Sequence, residues 1–139
     1  MIDSFTGEYH FLSNFYPAKV VFEGNVYASS EHAYQAAKAT NSKDRAMFRE
    51  GIKAGQAKRL GKKIKLRSDW ESVKLSIMES IVRDKFTRHS DLKERLIATG
   101  DAELVEGNNF GDTVWGKVDG KGQNLLGRIL MKIREELKK

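Results

Sequence analysis

The sequence predicts an α+β fold, predominantly helical, built as a single domain over residues 1–139 with a few short strands. Three observations carry that expectation. Apolar residues recur at helical spacing in two long stretches, first Trp70, Val73, Ile77 and Ile81, then Leu126, Ile129, Leu130, Ile133 and Leu137. Two β-rich runs, Val20 to Glu23 and Val26 to Tyr27, flank the pair Gly24-Asn25, which suits a tight hairpin. Finally, 139 residues of which 40% are hydrophobic are enough for one ordinary core and too few for two.

Taken in order, the chain opens with Phe5 to Phe15, where Tyr9, Phe11 and Phe15 mix with Gly7, Ser13 and Asn14 before the single proline, Pro17. This reads as a short strand or an irregular arm. The hairpin then leads to Ser29, a favoured N-cap whose hydroxyl can accept a hydrogen bond from a first-turn N–H, and the alanines up to Ala39 propagate a helix. Ser42 caps a second helix carrying Ala46, Met47 and Phe48, and Gly51 and Gly55 interrupt the pattern before a short helix ending at Leu60-Gly61. Ser68-Asp69-Trp70-Glu71 matches a capping box, in which Ser68 and Glu71 satisfy each other's backbone donors. The helix it opens runs to about Phe86 or Arg88 and buries Trp70, Ile77, Ile81 and Phe86. Ser90 starts another from Asp91 to Ala98, closed by Thr99-Gly100. Ala102 to Glu106 and Thr113 to Trp115 read as short strands around a loop from Gly107 to Asp112. Gly116, Gly120 and Gly122 then form a flexible connection to a last helix, Asn124 to Leu137.

Composition narrows the function classes. Cysteine is absent, which removes disulfides, cysteine nucleophiles and thiolate metal sites, and His10, His32 and His89 show no ligand spacing with carboxylates. Neither a metal nor a cofactor is expected. No run of about 18 apolar residues and no charged start followed by an apolar stretch is present, so the reading is a cytoplasmic protein without a membrane span or secretory signal. The excess of 25 Lys and Arg over 19 Asp and Glu, a net +6, favours an anionic partner such as a phosphorylated metabolite or a nucleic acid. Lys58 to Arg67 concentrates that charge, either as a phosphate-attracting run or as a solvated face.

Reactive side chains gather at four places. On the helix opened by Ser29, Glu31, Gln35 and Lys38 stand at i, i+4 and i+7, aligning a carboxylate, an amide and an amine along one stripe. Such a stripe can line a pocket, or it can merely complement the helix dipole, at roughly 0.3–1 kcal/mol per charge. The other places join polar residues to tight turns: Asn14 beside Phe15, Glu106 to Trp115, and Gly122 to Asn124. A helix opening just after Gly122 would present its positive end to a phosphate, with glycines letting backbone N–H groups come close. The plain alternatives are that Glu106 caps a loop, Asp112 forms an Asx-turn and Trp115 is core instead of a stacking platform. His32 and His89 read as structural or surface residues.

Six ordered blocks give the chain a resemblance to the NADAR family, named for its association with NAD and ADP-ribose and containing the YbiA-like N-glycosidases. They are Phe11-Leu12-Ser13-Asn14-Phe15, Ser29 to Lys38, Trp70 with Lys85-Phe86, Leu104-Val105-Glu106, Asp112 with Trp115-Gly116, and Gly122 to Gly127. The resemblance covers nearly the whole chain. It implies a largely helical α+β domain that hydrolyses the ribose C1–N bond of phosphorylated ribosyl compounds, either early riboflavin-pathway intermediates or ADP-ribosylated guanine. The arm before Phe11 is short beside some relatives, so contacts made by a longer N-terminus are expected to be missing.

Breaking such a bond develops oxocarbenium character on the sugar, which a carboxylate stabilises or relieves by activating water while an acid assists the leaving nitrogen. Glu31, Glu106 and Asp112 are the candidate catalytic carboxylates. Alternatively Lys38 or Lys85 attacks the opened ribose as a neutral amine and forms a Schiff base. Asn14, Phe15, Gln35, Lys85, Trp115, Gly116, Gly122 and Asn124 are the expected substrate-binding residues. Against hydrolysis stand a non-catalytic module for ADP-ribose or NAD, and a nucleic-acid-binding protein using the basic run.

Overall fold

The β-rich runs pair as the sequence expects, with the turn one residue earlier. In the structure, a computed structural model that describes residues 1–49 and 51–139, strands β1 (Val20–Phe22) and β2 (Asn25–Tyr27) are antiparallel, with Val20 opposite Tyr27 and Phe22 opposite Asn25. Glu23 and Gly24 therefore form the turn, in place of Gly24-Asn25. Both have positive φ, 47° and 82°, the backbone twist that two-residue hairpins require. The helices are α1 (Ser30–Ala36), α2 (Ser42–Ala46), α3 (Ala54–Gly61), α4 (Trp70–Arg88), α5 (Ser90–Ala98) and α6 (Leu125–Leu137). The fold is thus α+β and mainly helical, and among the described residues no helix is long and apolar enough to cross a membrane.

Contacts gather into two compact units, one of Asn14–Arg88 and one of Met1–Ser13 with His89–Lys139. In the first, α1 packs on α3, α4 and both strands, and Asp84 of α4 accepts a hydrogen bond from the Val21 N–H at 2.8 Å. Every residue of α1 is buried. The helix has room for this because Ala33, Ala36 and Ala37 are small and fully covered. Its N-cap is the expected Ser29, whose Oγ accepts from the His32 N–H at 3.2 Å. The His32 ring is held on both sides: Nε2 donates to the Ile52 carbonyl at 2.7 Å, which can only accept, and Nδ1 is hydrogen-bonded to Ser29 Oγ at 2.6 Å.

Helix α2 is capped by Asn41, not Ser42, because Asn41 Oδ1 accepts from the Asp44 N–H at 2.8 Å. Gly55 lies inside α3 and does not break it. The capping box expected before α4 is not how Glu71 is used; its carboxylate meets Lys74 at 2.6 Å, while Arg67 pairs with Asp69. Trp70, Ile81 and Phe86 are buried as the periodicity predicts, joined by Met78, Val82 and Lys85, whereas Ile77 is only half-buried.

In the second unit the arm expected to be strand-like or irregular is a 3-10 helix, Gly7–Leu12. The Arg95 guanidinium stacks 4.1 Å from the Phe11 ring and donates to the Glu8 carbonyl at 3.0 Å, which ties that turn to α5. The two short strands expected at Ala102–Glu106 and Thr113–Trp115 do not form. Single bridges occur instead, Ile2 with Leu104, Gly107 with Lys117 and Val118 with Lys121, because local turns and side-chain amides take the backbone groups a ladder would use. Helix α6 buries Leu126, Ile129, Leu130 and Ile133, with Leu137 half-buried and Arg134 buried in its place. Arg134 donates to Thr99 Oγ1 at 2.9 Å.

Candidate functional site

Helix α1 brings Glu31 and Gln35 together as the i, i+4 spacing predicts, but inside the protein and not on a solvated face. Glu31 is 7% exposed and its Oε2 accepts from Gln35 Nε2 at 2.8 Å. The Glu31 N–H donates to the Asn14 carbonyl at 2.9 Å, so the loop after the 3-10 helix fixes the first turn of α1. A carboxylate is ordinarily costly to bury, which argues against a role limited to complementing the helix dipole. Gln35 Oε1 is buried without a hydrogen-bond partner and lies against Gly61 of α3, where an added Cβ would overlap it.

Lys38 is placed differently from the sequence expectation. Helix α1 ends at Ala36, so Lys38 sits in the following turn, with its ammonium 5.8 Å from the Tyr34 ring centre and 6.0 Å from that of Trp70. Burial pushes its pKa down, Glu31 opposes that shift, and Lys62, Lys58 and Lys74 reinforce it. Lys85 on α4 is an extreme case. It is 1% exposed, its ammonium lies 5.6 Å from the Tyr16 ring and 5.1 Å from the Phe86 ring, and burial lowers its pKa to about 7. Asn14 is buried, with its amide 3.5 Å from Met78 Sδ, while Phe15 is 39% exposed.

Glu106, Asp112, Trp115, Gly116, Gly122 and Asn124 form a second constellation around the start of α6. Asn124, at φ 53°, turns its side chain back onto the 104–106 segment: Oδ1 accepts from the Glu106 N–H at 3.0 Å and Nδ2 donates to the Leu104 carbonyl at 3.0 Å. Asp112 does form the Asx-turn, its Oδ1 accepting from the N–H groups of Val114 at 3.0 Å and Trp115 at 2.9 Å. Trp115 and Glu106 are half-buried. Gly116 is buried, and a Cβ there would overlap both the Glu106 carboxylate and the Glu106 carbonyl.

The expectation of a phosphate at the positive end of α6 meets a physical obstacle. The N–H groups of Gln123, Asn124, Leu125 and Leu126 already donate to the carbonyls of Thr113, Gly116, Val114 and Trp115. Gly122 is exposed beside them. In the basic run, Arg59, Lys62, Lys63 and Lys65 are exposed and Lys58 and Arg67 half-buried. Among the described residues no group of His, Asp and Glu could hold a metal ion.

Two residues that contact these side chains carry almost no signal of it in the sequence. Asn108 stands in a loop next to the chemically identical Asn109, and Gly61 reads as a helix end. Asn108 Nδ2 lies 2.9 Å from Glu106 Oε2, and Gly61 closes on Gln35. The one available signal for Asn108 was its position two residues after a candidate acid.

The NADAR domain model matches residues 3–138. N-glycosidase YbiA of Shigella flexneri is 39% identical over 137 residues, 96% of this chain and 85% of that protein; an N-glycosidase of Nostoc punctiforme is 40% identical over 94% and 86%. A riboflavin biosynthesis protein of Vibrio vulnificus is 42% identical over 130 residues, and this chain spans about a third of its length, 35%. The NMR structure of the Escherichia coli protein YbiA is similar with a TM-score of 0.85 at 36% identity, covering 99% of this chain and 87% of that one. The chain belongs to the NADAR domain family. Within it, the identity to relatives named N-glycosidase makes this chain an enzyme, a hydrolase of N-glycosyl bonds.

Proposed function

We propose that the bond this enzyme breaks is the ribose C1–N bond of a phosphorylated ribosyl compound, with an aminopyrimidine ribose phosphate or ADP-ribosylated guanine as the substrate class, and that it acts in the cytoplasm. One observation supports the chemistry above others: Lys85 is fully buried and its pKa lies at about 7, so a large share of it is the neutral amine at working pH. Lys38 is shifted in the same direction but is opposed by Glu31. Lys85 is therefore the better nucleophile of the two lysines the sequence offers.

In this reading Nζ of Lys85 attacks C1 of the ribose and the C1–N bond breaks, its nitrogen taking a proton from an acid. The sugar–lysine adduct opens to a protonated imine. Water then adds to C1, the C1–Nζ bond breaks, and the free amine and the sugar phosphate are released. Glu31 of the first unit, or Glu106 or Asp112 of the second, each taken by itself, is proposed as a carboxylate that holds or moves a proton or stabilises positive charge at C1. Asn14, Phe15 and Gln35 in the first unit, and separately Trp115, Gly116, Gly122 and Asn124 in the second, are proposed as substrate-binding residues. Lys38, with Lys62 and Lys63, is proposed to attract phosphate.

The deciding experiment adds borohydride during turnover of each candidate substrate and maps any sugar adduct by mass spectrometry. An adduct on Lys85, with an inactive but folded Lys85→Arg variant, is the expected outcome. An adduct on Lys38 moves the nucleophile there. Turnover with no adduct on either lysine, together with an active Lys85→Arg, overturns the covalent route in favour of water activated by a carboxylate.

A further inference from the structure

The side chain of Asn108 makes contacts out of proportion to its place in a loop. Its Nδ2 donates to Glu106 Oε2 at 2.9 Å, to the Asp112 carbonyl at 2.9 Å and, more weakly, to the Glu106 carbonyl at 3.4 Å. Its Oδ1 accepts from the Asp112 N–H at 3.1 Å and the Phe110 N–H at 3.3 Å. The Asn108 backbone is fixed as well, its N–H donating to the Lys117 carbonyl at 3.0 Å, while the Lys117 N–H returns to the Glu106 carbonyl at 2.9 Å. Gly116 backs the same place, since a Cβ there would overlap Glu106 Oε2 and approach Asn108 Nδ2 at 2.8 Å.

One amide thus has two separable halves. The acceptor half shapes the 108–112 loop, and the donor half both closes that loop on the Asp112 carbonyl and holds a carboxylate. The turns onto the Phe110 and Asp112 N–H groups need only the first, and Asp makes such turns as readily as Asn. Of the two N–H bonds of that donor, one serves the loop through the Asp112 carbonyl; the other, given to Glu106 Oε2, closes nothing in the loop and serves to orient that carboxylate, and only Asn, of the two, supplies an NH2 there.

We infer that Asn108 is a positioning residue for the hydrolysis, aiming the Glu106 carboxylate and locking it in register with the loop that carries Asp112. The inference rests on Glu106 acting in the reaction proposed above. A carboxylate displaced by about an ångström can lose on the order of 100-fold in rate without any change in its own chemistry.

Asn108→Asp keeps the acceptor for Phe110 and Asp112 and replaces the donor with a second anionic oxygen facing Glu106, giving up one loop bond, to the Asp112 carbonyl, along with the carboxylate bond. The expected result at pH 8 is a fall in kcat on the order of 100-fold with KM changed less than about threefold. Amide resonances of Phe110 and Asp112 should stay in place in a heteronuclear NMR spectrum. Asn108→Ser, whose hydroxyl can still donate, should recover part of kcat, and Asn108→Ala, with neither half, should lose kcat and disturb the loop resonances. A folded Asn108→Asp with parental kcat beside an inactive Glu106→Gln overturns the inference and leaves the proposed function standing. An active Glu106→Gln overturns the role of Glu106 and the inference with it. If Asn108→Asp does not fold, Asn108→Ser decides: kcat no better than that of Asn108→Ala overturns the inference.

Discussion

Glu31 and Glu106 are both held by a side-chain amide backed by a glycine, but the two holdings are built from different parts. Glu31 sits on a helix, its amide comes from Gln35 one turn along, and the backing glycine, Gly61, lies where an added Cβ would meet only that side chain, at Oε1, Cδ and Cβ. Glu106 sits in an irregular segment, its amide comes from Asn108 two residues on, and the backing glycine, Gly116, meets the carboxylate and the main chain directly. In the first case helix geometry supplies the alignment. In the second a mesh of backbone hydrogen bonds from residue 104 to residue 126 supplies it. The first arrangement should therefore tolerate local change better than the second.

The largest expected effect tests whether the two acids are alike in chemistry at all. Glu31→Gln keeps size and helix position while removing the charge, so turnover should fall on the order of 100- to 1000-fold with an unchanged circular dichroism spectrum. A variant within tenfold of the parent kcat takes Glu31 out of the mechanism and breaks the parallel with Glu106. Asp112→Asn should also lower kcat, but it disturbs the Asx-turn onto Val114 and Trp115, so its spectrum must be compared alongside.

Next comes the buried amine on α4. Because the folded-state pKa of Lys85 is lowered to about 7, the folded protein gives up a proton that the unfolded chain keeps up to its ordinary value. Stability should therefore rise with pH from about 7 to about 10.5, and the full penalty is present below 7. Lys85→Met should flatten that slope in chemical denaturation and raise stability at pH 7, by about 1.4 kcal/mol for each unit the value is displaced. An unchanged slope would show that the ammonium is stabilised in place.

Gly61→Ala and Gly116→Ala compare the two backings directly. At Gly61 the obstacle is a side chain, so the cost should be about 1–2 kcal/mol, and adding Gln35→Ala, which clears Oε1 and Cδ, should recover most of the stability while removing the Gln35 hydrogen bond to Glu31 and keeping kcat low. At Gly116 the obstacle includes a main-chain carbonyl that cannot move aside, so the cost should reach about 3 kcal/mol or more, with no side-chain change able to relieve it. Equal costs, read from denaturation midpoints, would mean the two acids sit in equally rigid surroundings.

The smallest effect concerns the exposed basic run. Neutralising Lys62 and Lys63 together should raise KM about threefold at low salt, with kcat and melting temperature nearly unchanged and the difference lost at high salt. A KM that does not move returns both residues to a solvated face.

By itself the sequence determined whatever depends on neighbours within a turn or two. The Ser29 cap, the pairing of Glu31 with Gln35, the α4 and α6 core stripes and the hairpin all follow from local spacing, because helix and hairpin geometry repeats every few residues. The six motif blocks added the family and, through it, the enzyme class. Tertiary structure decided what spacing cannot encode. Lys85 lies on a stripe position like any other until packing removes its water and lowers its pKa. The segments at 102–106 and 113–115 have strand-like composition, yet Asn108, Asp112 and Asn124 compete for their backbone groups and leave only bridges. Asn108 and Asn109 are the same residue in the same loop; only the folded chain puts one of them within hydrogen-bond reach of Glu106 and leaves the other exposed.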